Sequence, residues 1–274
     1  MIKIIRNPKQ LQTLLEKERA RGRTVGFVPT MGALHAGHLS LVRASNCENE
    51  ITVVSIFVNP TQFGPKEDFK KYPRTLSADQ KLLKKYSVAY LFCPSVQAMY
   101  PEKYTTKVQV GFKKASFLTR QLCGKFRPGH FEGVATVVTK LLNIVGPCRL
   151  YLGAKDYQQS LVIRRLVCDL NMNVKVRVMP TIREPDGLAL SSRNRYLSPA
   201  ERKKAQILSQ VLLRLKKNIR QKKGSLFSLK AQALHQLKTG VDRVQYLEIV
   251  DPESLEPLKN CRSKMVAAAA CFVG

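Results

Sequence analysis

From residue 24 to about residue 178, short apolar runs alternate with stretches of helical period. That alternation fits a parallel sheet with helices on both faces, because strands covered on both sides read as continuous apolar runs. The expected strands are Val25 to Val28, Ile51 to Val58, Ala89 to Cys93, Leu150 to Leu152 and Val174 to Val178. Between them, Val134, Val137, Val138, Leu141, Leu142 and Val145 recur at helical spacing and mark one face of a helix. Proline follows the strands at Asn59-Pro60, Pro94 and Met179-Pro180, which gathers the loops at the strands' C-terminal ends. In open α/β sheets ligands bind at that edge. Residues 1–178 are expected to form this domain. Residues 179–274, with a helix opened by Ser198-Pro199-Ala200-Glu201 and strand-like runs at Val244 to Val250 and Met265 to Val273, are expected to form a smaller α+β domain hinged beside it.

Two of the chain's four histidines fall in one turn, Thr30-Met31-Gly32-Ala33-Leu34-His35-Ala36-Gly37-His38, between the first of these strands and an amphipathic stretch. A helix N-terminus offers unpaired N–H groups and a partial positive charge, and glycine lets backbone approach a ligand. Paired imidazoles there can bond phosphate oxygens and follow charge as it develops. Two other readings compete: the histidines cap or pack the helix start, or they bind a metal. No cysteine or carboxylate cluster lies nearby to complete a metal site.

Composition narrows the class. At 274 residues, 44% hydrophobic and 24% charged, the chain is an ordinary globular protein. Charges in Met1-Ile2-Lys3-Ile4-Ile5-Arg6 come too soon for a secretory signal, and no later run reaches transmembrane length, so a cytoplasmic protein is expected. The seven cysteines are scattered and never spaced Cys-x-x-Cys, which fits reduced core residues. The net charge of +28 would ordinarily suggest nucleic acid. Much of it lies on expected helix surfaces such as Arg202-Lys203-Lys204, tryptophan is absent, and no RNA-binding motif appears. No specific nucleic-acid partner is expected.

Three further loops carry polar residues beyond what a turn needs. In Phe57 to Gly64, Asn59 and Gln62 can each present a donor and an acceptor to a small polar substrate; an Asn-Pro turn with a surface Gln is the competing reading. Gly153-Ala154-Lys155-Asp156-Tyr157-Gln158-Gln159 offers a cation for phosphate and a carboxylate for ribose hydroxyls, although an Asp at a helix start is often its cap. Ser191-Ser192-Arg193 can close over a triphosphate, or can be a solvated linker. The P-loop, dinucleotide and Gly-x-Ser-x-Gly patterns are missing, so His-x-Gly-His remains as the nucleotide signature.

Pro29 to His38, Phe57 to Gly64, Tyr72-Pro73-Arg74-Thr75, Arg127 to Val134, Lys155 to Gln159 and Leu188 to Leu197 resemble, in order, the segments of the pantoate–β-alanine ligases. His-x-Gly-His alone is shared with the wider nucleotidylyltransferase superfamily. The resemblance implies a Rossmann-like ATP domain, a small C-terminal lid and a homodimer. It implies an ATP-dependent ligase that makes pantoyl adenylate and pyrophosphate, then passes the pantoyl group to β-alanine with release of AMP. By that resemblance Met31, Gly32, Ala33, Leu34, His35, Ala36, Gly37 and His38 bind ATP, with His38 in the proton-donor position. Gly153, Ala154, Lys155, Asp156 and Ile182 fall on adenosine and phosphate contacts, and Leu190, Ser191, Ser192 and Arg193 match the closing phosphate loop. Gln62 and Gln159 match pantoate-binding positions, Gln62 also lies near the β-alanine site, and Asn59 is expected to bind substrate with them. His35, His38, Lys155, Ser192 and Arg193 would act by positioning and electrostatics.

Mg²⁺ bridging the phosphates is expected from the same resemblance. Relatives carry clustered acids after Tyr-Pro-Arg-Thr, whereas Ser77-Ala78-Asp79 leaves one, so no metal ligand is assigned. Ala154 stands where the family usually has an acid, and the family usually runs past Gly274, so a shortened final strand is expected. Another nucleotidylyltransferase is the alternative. Gln62 and Gln159 favour a small hydroxy acid over a phosphorylated substrate, which would want clustered cations.

Overall fold

The computed structural model describes residues 2–65, 67–111 and 117–274. The chain divides into two compact units, Met1–Val110 with Pro128–Ile182, and Gly111–Arg127 with Arg183–Gly274.

The first unit contains β1 (Lys3–Ile5), α1 (Pro8–Ala20), β2 (Val25–Thr30), α2 (Ala36–Glu48), β3 (Ile51–Ile56), α3 (Leu76–Leu83), β4 (Tyr90–Phe92) and α4 (Val96–Met99). The second unit takes the short helices α5 (Phe117–Arg120) and α6 (Cys123–Phe126), after which the chain returns to the first for α7 (His130–Val145), β5 (Cys148–Gly153), α8 (Tyr157–Asp169) and β6 (Val174–Met179). The six strands lie in the order β1-β4-β3-β2-β5-β6, and every neighbouring pair is parallel. From β2 the chain steps outward through β3 and β4 on one side, whereas β5 and β6 lie on the other. The order therefore reverses between β2 and β5, and a ligand crevice belongs at their C-terminal ends.

The central strands β2 and β3 are buried at nearly every position, as an apolar sequence covered on both faces requires. Edge strand β6 alternates between exposed and half-buried over most of its length. The expected strand Ile51 to Val58 ends at Ile56, because the chain leaves the sheet for a turn at Asn59, whose side chain accepts from the Thr61 amide. The expected Leu150 to Leu152 is longer, Cys148–Gly153. Helix α7 exceeds its expected single face: it is buried around most of its circumference and touches α1, α8 and the turn Pro60–Gln62. Gly133 permits that approach, since a Cβ there would lie 2.3 Å from the Thr61 carbonyl oxygen.

The second unit also contains α9 (Pro199–Arg220), α10 (Leu226–Gly240), β7 (Arg243–Val250) and β8 (Val266–Phe272). Strands β7 and β8 pair antiparallel. The two long helices meet this ribbon around Val211, Leu215, Leu229, Leu237, Leu247 and Ile249, and the small Ala267 and Ala269 of β8 pack against that core. The expected capping box forms: the Ser198 hydroxyl accepts from the Glu201 amide and the Glu201 carboxylate from the Ser198 amide. Among the described residues no helix is long and apolar enough to cross a membrane.

Candidate active site

The turn after β2 stands beside the crevice. Gly32 has φ +85° and Ala33 φ +49°, so two successive residues are left-handed and swing the chain back toward the sheet. Leu34 buries its side chain in the core cluster that also holds Val28, Leu39 and Val54. His35 then caps α2: its Nδ1 accepts from the Gly37 amide at 3.2 Å, and the Nδ1 of His38 accepts from the His35 amide at 3.4 Å. Capping and ligand binding are thus compatible readings of this pair. An imidazole whose Nδ1 is an acceptor carries its hydrogen on Nε2 in the neutral form, so each ring keeps a donor in a fixed tautomer. The rings sit 4.1 Å apart between centroids.

The backbone offers less to an anion than the turn's composition suggests. The Ala33 and Leu34 amides both donate to Asp79, and the His38 and Leu39 amides both donate to the His35 carbonyl. An anion at this turn would therefore be met chiefly by side chains. Burial, then the neighbouring His35, push the His38 pKa from 6.5 down to about 3; Asp156 pulls it up and Lys155 presses it further down. His38 is therefore neutral at pH 7, with its Nε2 carrying the hydrogen.

Those electrostatic partners come from the loop after β5, across the point where strand order reverses. Lys155 and Asp156 form an ion pair at 3.3 Å, both well exposed to solvent. Asp156 occupies the N-cap position of α8 without a capping hydrogen bond from its side chain, so capping does not account for it. Gln159 lies in the first turn of α8, half-buried. Ile182 follows β6 at the end of the first unit.

The loop after β3 supplies the amides. Asn59 is 1% exposed and donates from Nδ2 to the Gln62 Oε1 and the Gly133 carbonyl, both at 3.1 Å, while Tyr100 donates to its Oδ1 at 2.8 Å. Gln62 in turn places its Nε2 3.4 Å from the Met31 sulfur, linking this loop to the histidine turn. Buried His130 holds the Gln62 carbonyl through Nδ1 at 2.8 Å. His130 and Tyr100 thus position Asn59 and Gln62; sequence reasoning gave neither that role. A cleft of about 580 Å³ runs beside Met31 and Gly32, lined also by Arg6, Phe57, Arg74 and Cys93. Burial raises the Cys93 pKa to about 11, so it is a neutral thiol rather than a nucleophile.

Leu190, Ser191, Ser192 and Arg193 belong to the second unit. The Ser191 hydroxyl accepts from the Arg193 amide; Ser192 is buried and the Arg193 side chain exposed. Arg202 of α9 pairs with Glu184 and Asp186, Gln206 also donates to Asp186, and Asn194 donates to Glu184 and the Ala189 carbonyl. This network braces the loop from its base.

No group of three or more His, Cys, Asp or Glu side chains suited to a metal occurs among the described residues. Asp79, the acid left after Tyr-Pro-Arg-Thr, already serves two backbone amides. Among the described residues the protein's own donors do not form a Mg²⁺ cage.

Residues 3–274 match the family model described as pantoate-beta-alanine ligase. The chain belongs to the pantoate–β-alanine ligase family. It is 50% identical to a pantothenate synthetase of Thermosipho africanus, covering 100% of this chain and 96% of the relative. Against that of Thermotoga neapolitana the identity is 49% with the same coverage. The crystal structure of pantothenate synthetase from Thermus thermophilus superposes with a TM-score of 0.92 at 46% identity, covering 99% of this chain and 95% of the other. A pantoate-beta-alanine ligase from Francisella tularensis, solved with a β,γ ATP ligand and β-alanine, gives a TM-score of 0.79 at 34% identity, covering 100% of this chain and 98% of that one.

Proposed function

We infer that this chain condenses pantoate with β-alanine, using ATP and releasing AMP and pyrophosphate. The observation that carries the reading is the full-length family match together with a His-x-Gly-His turn placed where strand order reverses. In the first step a pantoate carboxylate oxygen attacks the α-phosphorus, the bond from that phosphorus to the bridging oxygen breaks, and pyrophosphate leaves. In the second the β-alanine amine attacks the acyl carbon, the carbon–oxygen bond to AMP breaks, and the amine gives up a proton to solvent.

The residue roles follow the family resemblance, and the chemistry of the step supplies a reason for several of them. Charge builds on the phosphate oxygens as the first bond breaks, and the Nε2–H donors of His35 and His38 with the Lys155 ammonium oppose it from fixed positions. Gln62 and Gln159 hold pantoate through its hydroxyl and carboxylate, and Asn59, with its own hydrogen bonds saturated, fixes Gln62. Met31 to His38, Gly153 to Asp156 and Ile182 are assigned to ATP, with Asp156 an acceptor for ribose hydroxyls. Phosphate contacts by Leu190, Ser191, Ser192 and Arg193 belong to the same proposal. Mg²⁺ is proposed to travel with the phosphates of ATP. A homodimer is proposed on the resemblance alone, and a cytoplasmic setting as the expectation from the sequence.

The test incubates the chain with ATP, Mg²⁺ and pantoate, with and without β-alanine, at physiological salt. Stoichiometric AMP, pyrophosphate and pantothenate, with sustained turnover only when both acid and amine are present, is expected. ADP and phosphate as products, or no pantoate dependence, would overturn the assignment. Light scattering at micromolar concentration checks the dimer, and a monomer mass would remove it.

A further inference from the structure

We propose that Asp79 is the positioning residue that holds the histidine turn in its working shape, and that it is committed to this task rather than to a metal; this rests on the ligase reading above. Asp79 lies on α3 and is 2% exposed. Its Oδ2 accepts from the Ala33 amide at 2.9 Å and its Oδ1 from the Leu34 amide at 2.8 Å. The Thr75 hydroxyl, one turn earlier, lies 3.3 and 3.2 Å from the two oxygens.

Successive N–H groups of a left-handed turn make a concave seat for an anion. Here the protein fills that seat with its own carboxylate. The seat is tight as well: a Cβ on Gly32 would lie 3.1 Å from the Asp79 Oδ2 and 3.0 Å from Ile56. Ala33, which has a Cβ, is held at φ +49°, a conformation L residues rarely adopt without support. The support is the pair of charge-assisted hydrogen bonds to Asp79, a carboxylate almost wholly buried at the wall of the cleft.

Displacement at Leu34 is passed directly to the chemistry. The next residue is His35, whose ring caps α2 and whose amide is the donor to the His38 Nδ1. Asp79 thus reaches both imidazoles through two amides and one cap. It touches no reacting atom, so its effect must appear in the step that needs those imidazoles at the α-phosphate. Most of the acceptor sites of Asp79 are taken by the two amides and the Thr75 hydroxyl, and no three-donor cluster surrounds it among the described residues, so a cation here would find one protein ligand at most.

Asp79→Asn keeps shape and one acceptor but turns an NH₂ against the other amide. In pantoate-dependent exchange of labelled pyrophosphate into ATP, kcat is expected to fall about 30- to 100-fold, the scale of a small misplacement of catalytic groups. KM for pantoate, and the rate at which supplied pantoyl adenylate reacts with β-alanine, should each stay within about threefold, because neither uses the repositioned groups. The Mg²⁺ concentration for half-maximal rate should not change. Unchanged exchange, equal loss in both half-reactions, or recovery at high Mg²⁺ would overturn the proposal, the last by making Asp79 a metal ligand. If Asp79→Asn does not fold, Thr75→Val decides: it removes only the hydroxyl, and is expected to slow exchange about threefold while sparing the second half-reaction, a selective loss that unaltered exchange would contradict. Absence of exchange in the unaltered chain would sink the ligase reading instead, so the two failures are distinguishable.

Discussion

The two loops assigned to phosphate are held by opposite means. The turn after β2 is fixed from inside, by the buried carboxylate of Asp79, the buried side chain of Leu34 and the helix caps made by His35 and His38. The loop before α9 is fixed from its flank, by Arg202 pairing with Glu184 and Asp186, whose side chains are 34%, 24% and 25% exposed. Buried bonds of this kind are barely screened by salt, whereas partly exposed ion pairs weaken with it. The first loop is therefore built to keep one geometry, and the second to keep a geometry that depends on its medium.

The largest expected effect breaks the first loop's chemistry. His38→Ala removes one imidazole donor and one cap; adenylate formation should fall about 100-fold or more, with a loss of about 1 kcal/mol in unfolding free energy. Pyrophosphate exchange and urea unfolding measure the two effects separately. Arg193→Ala in the second loop should lower the same exchange about 10- to 100-fold and raise the KM for ATP, with the unfolding midpoint unmoved because the side chain is exposed. Gln62→Ala should cost about 10- to 30-fold in kcat/KM for pantoate, the loss of a buried hydrogen bond to substrate, measured at limiting pantoate.

Two smaller effects sharpen the comparison. His38 has a folded pKa of about 3 against 6.5 unfolded, so the folded chain binds fewer protons. Its contribution to stability is complete above about pH 6.5 and is lost as pH falls toward 3, so the chain should lose about 2 kcal/mol more between pH 7 and 5 than His38→Gln does. In the second loop, the Leu188 amide and then Arg202 hold the Asp186 carboxyl below its usual range, so the brace is present at neutral pH and fails only in acid. Arg202→Ala should leave the unfolding midpoint nearly unchanged, and raise the KM for ATP at low salt more than at high salt.

What was legible in the sequence was local. Histidines at i and i+3 behind an apolar strand, a Lys-Asp pair at another strand end, and Asn59 with Gln62 after a third all mark themselves by adjacency, and a strand's C-terminal end is a shared address. The bracing residues were not legible. Asp79 meets Leu34 across 45 positions and His130 meets Gln62 across 68, and nothing beside either residue signals burial. Strand β1 has three residues and no period to detect. The grouping of residues 111–127 with the second unit likewise depends on distant contacts that no adjacent residue announces.

The central claim is that the histidine turn serves attack of a carboxylate on the α-phosphorus of ATP. Pantoate labelled with ¹⁸O in its carboxylate, carried through turnover with ATP and β-alanine, tests this directly. The account predicts one labelled oxygen in AMP and none in pyrophosphate. Label in inorganic phosphate, with ADP as the other product, would mean attack at the γ-phosphorus and would contradict it.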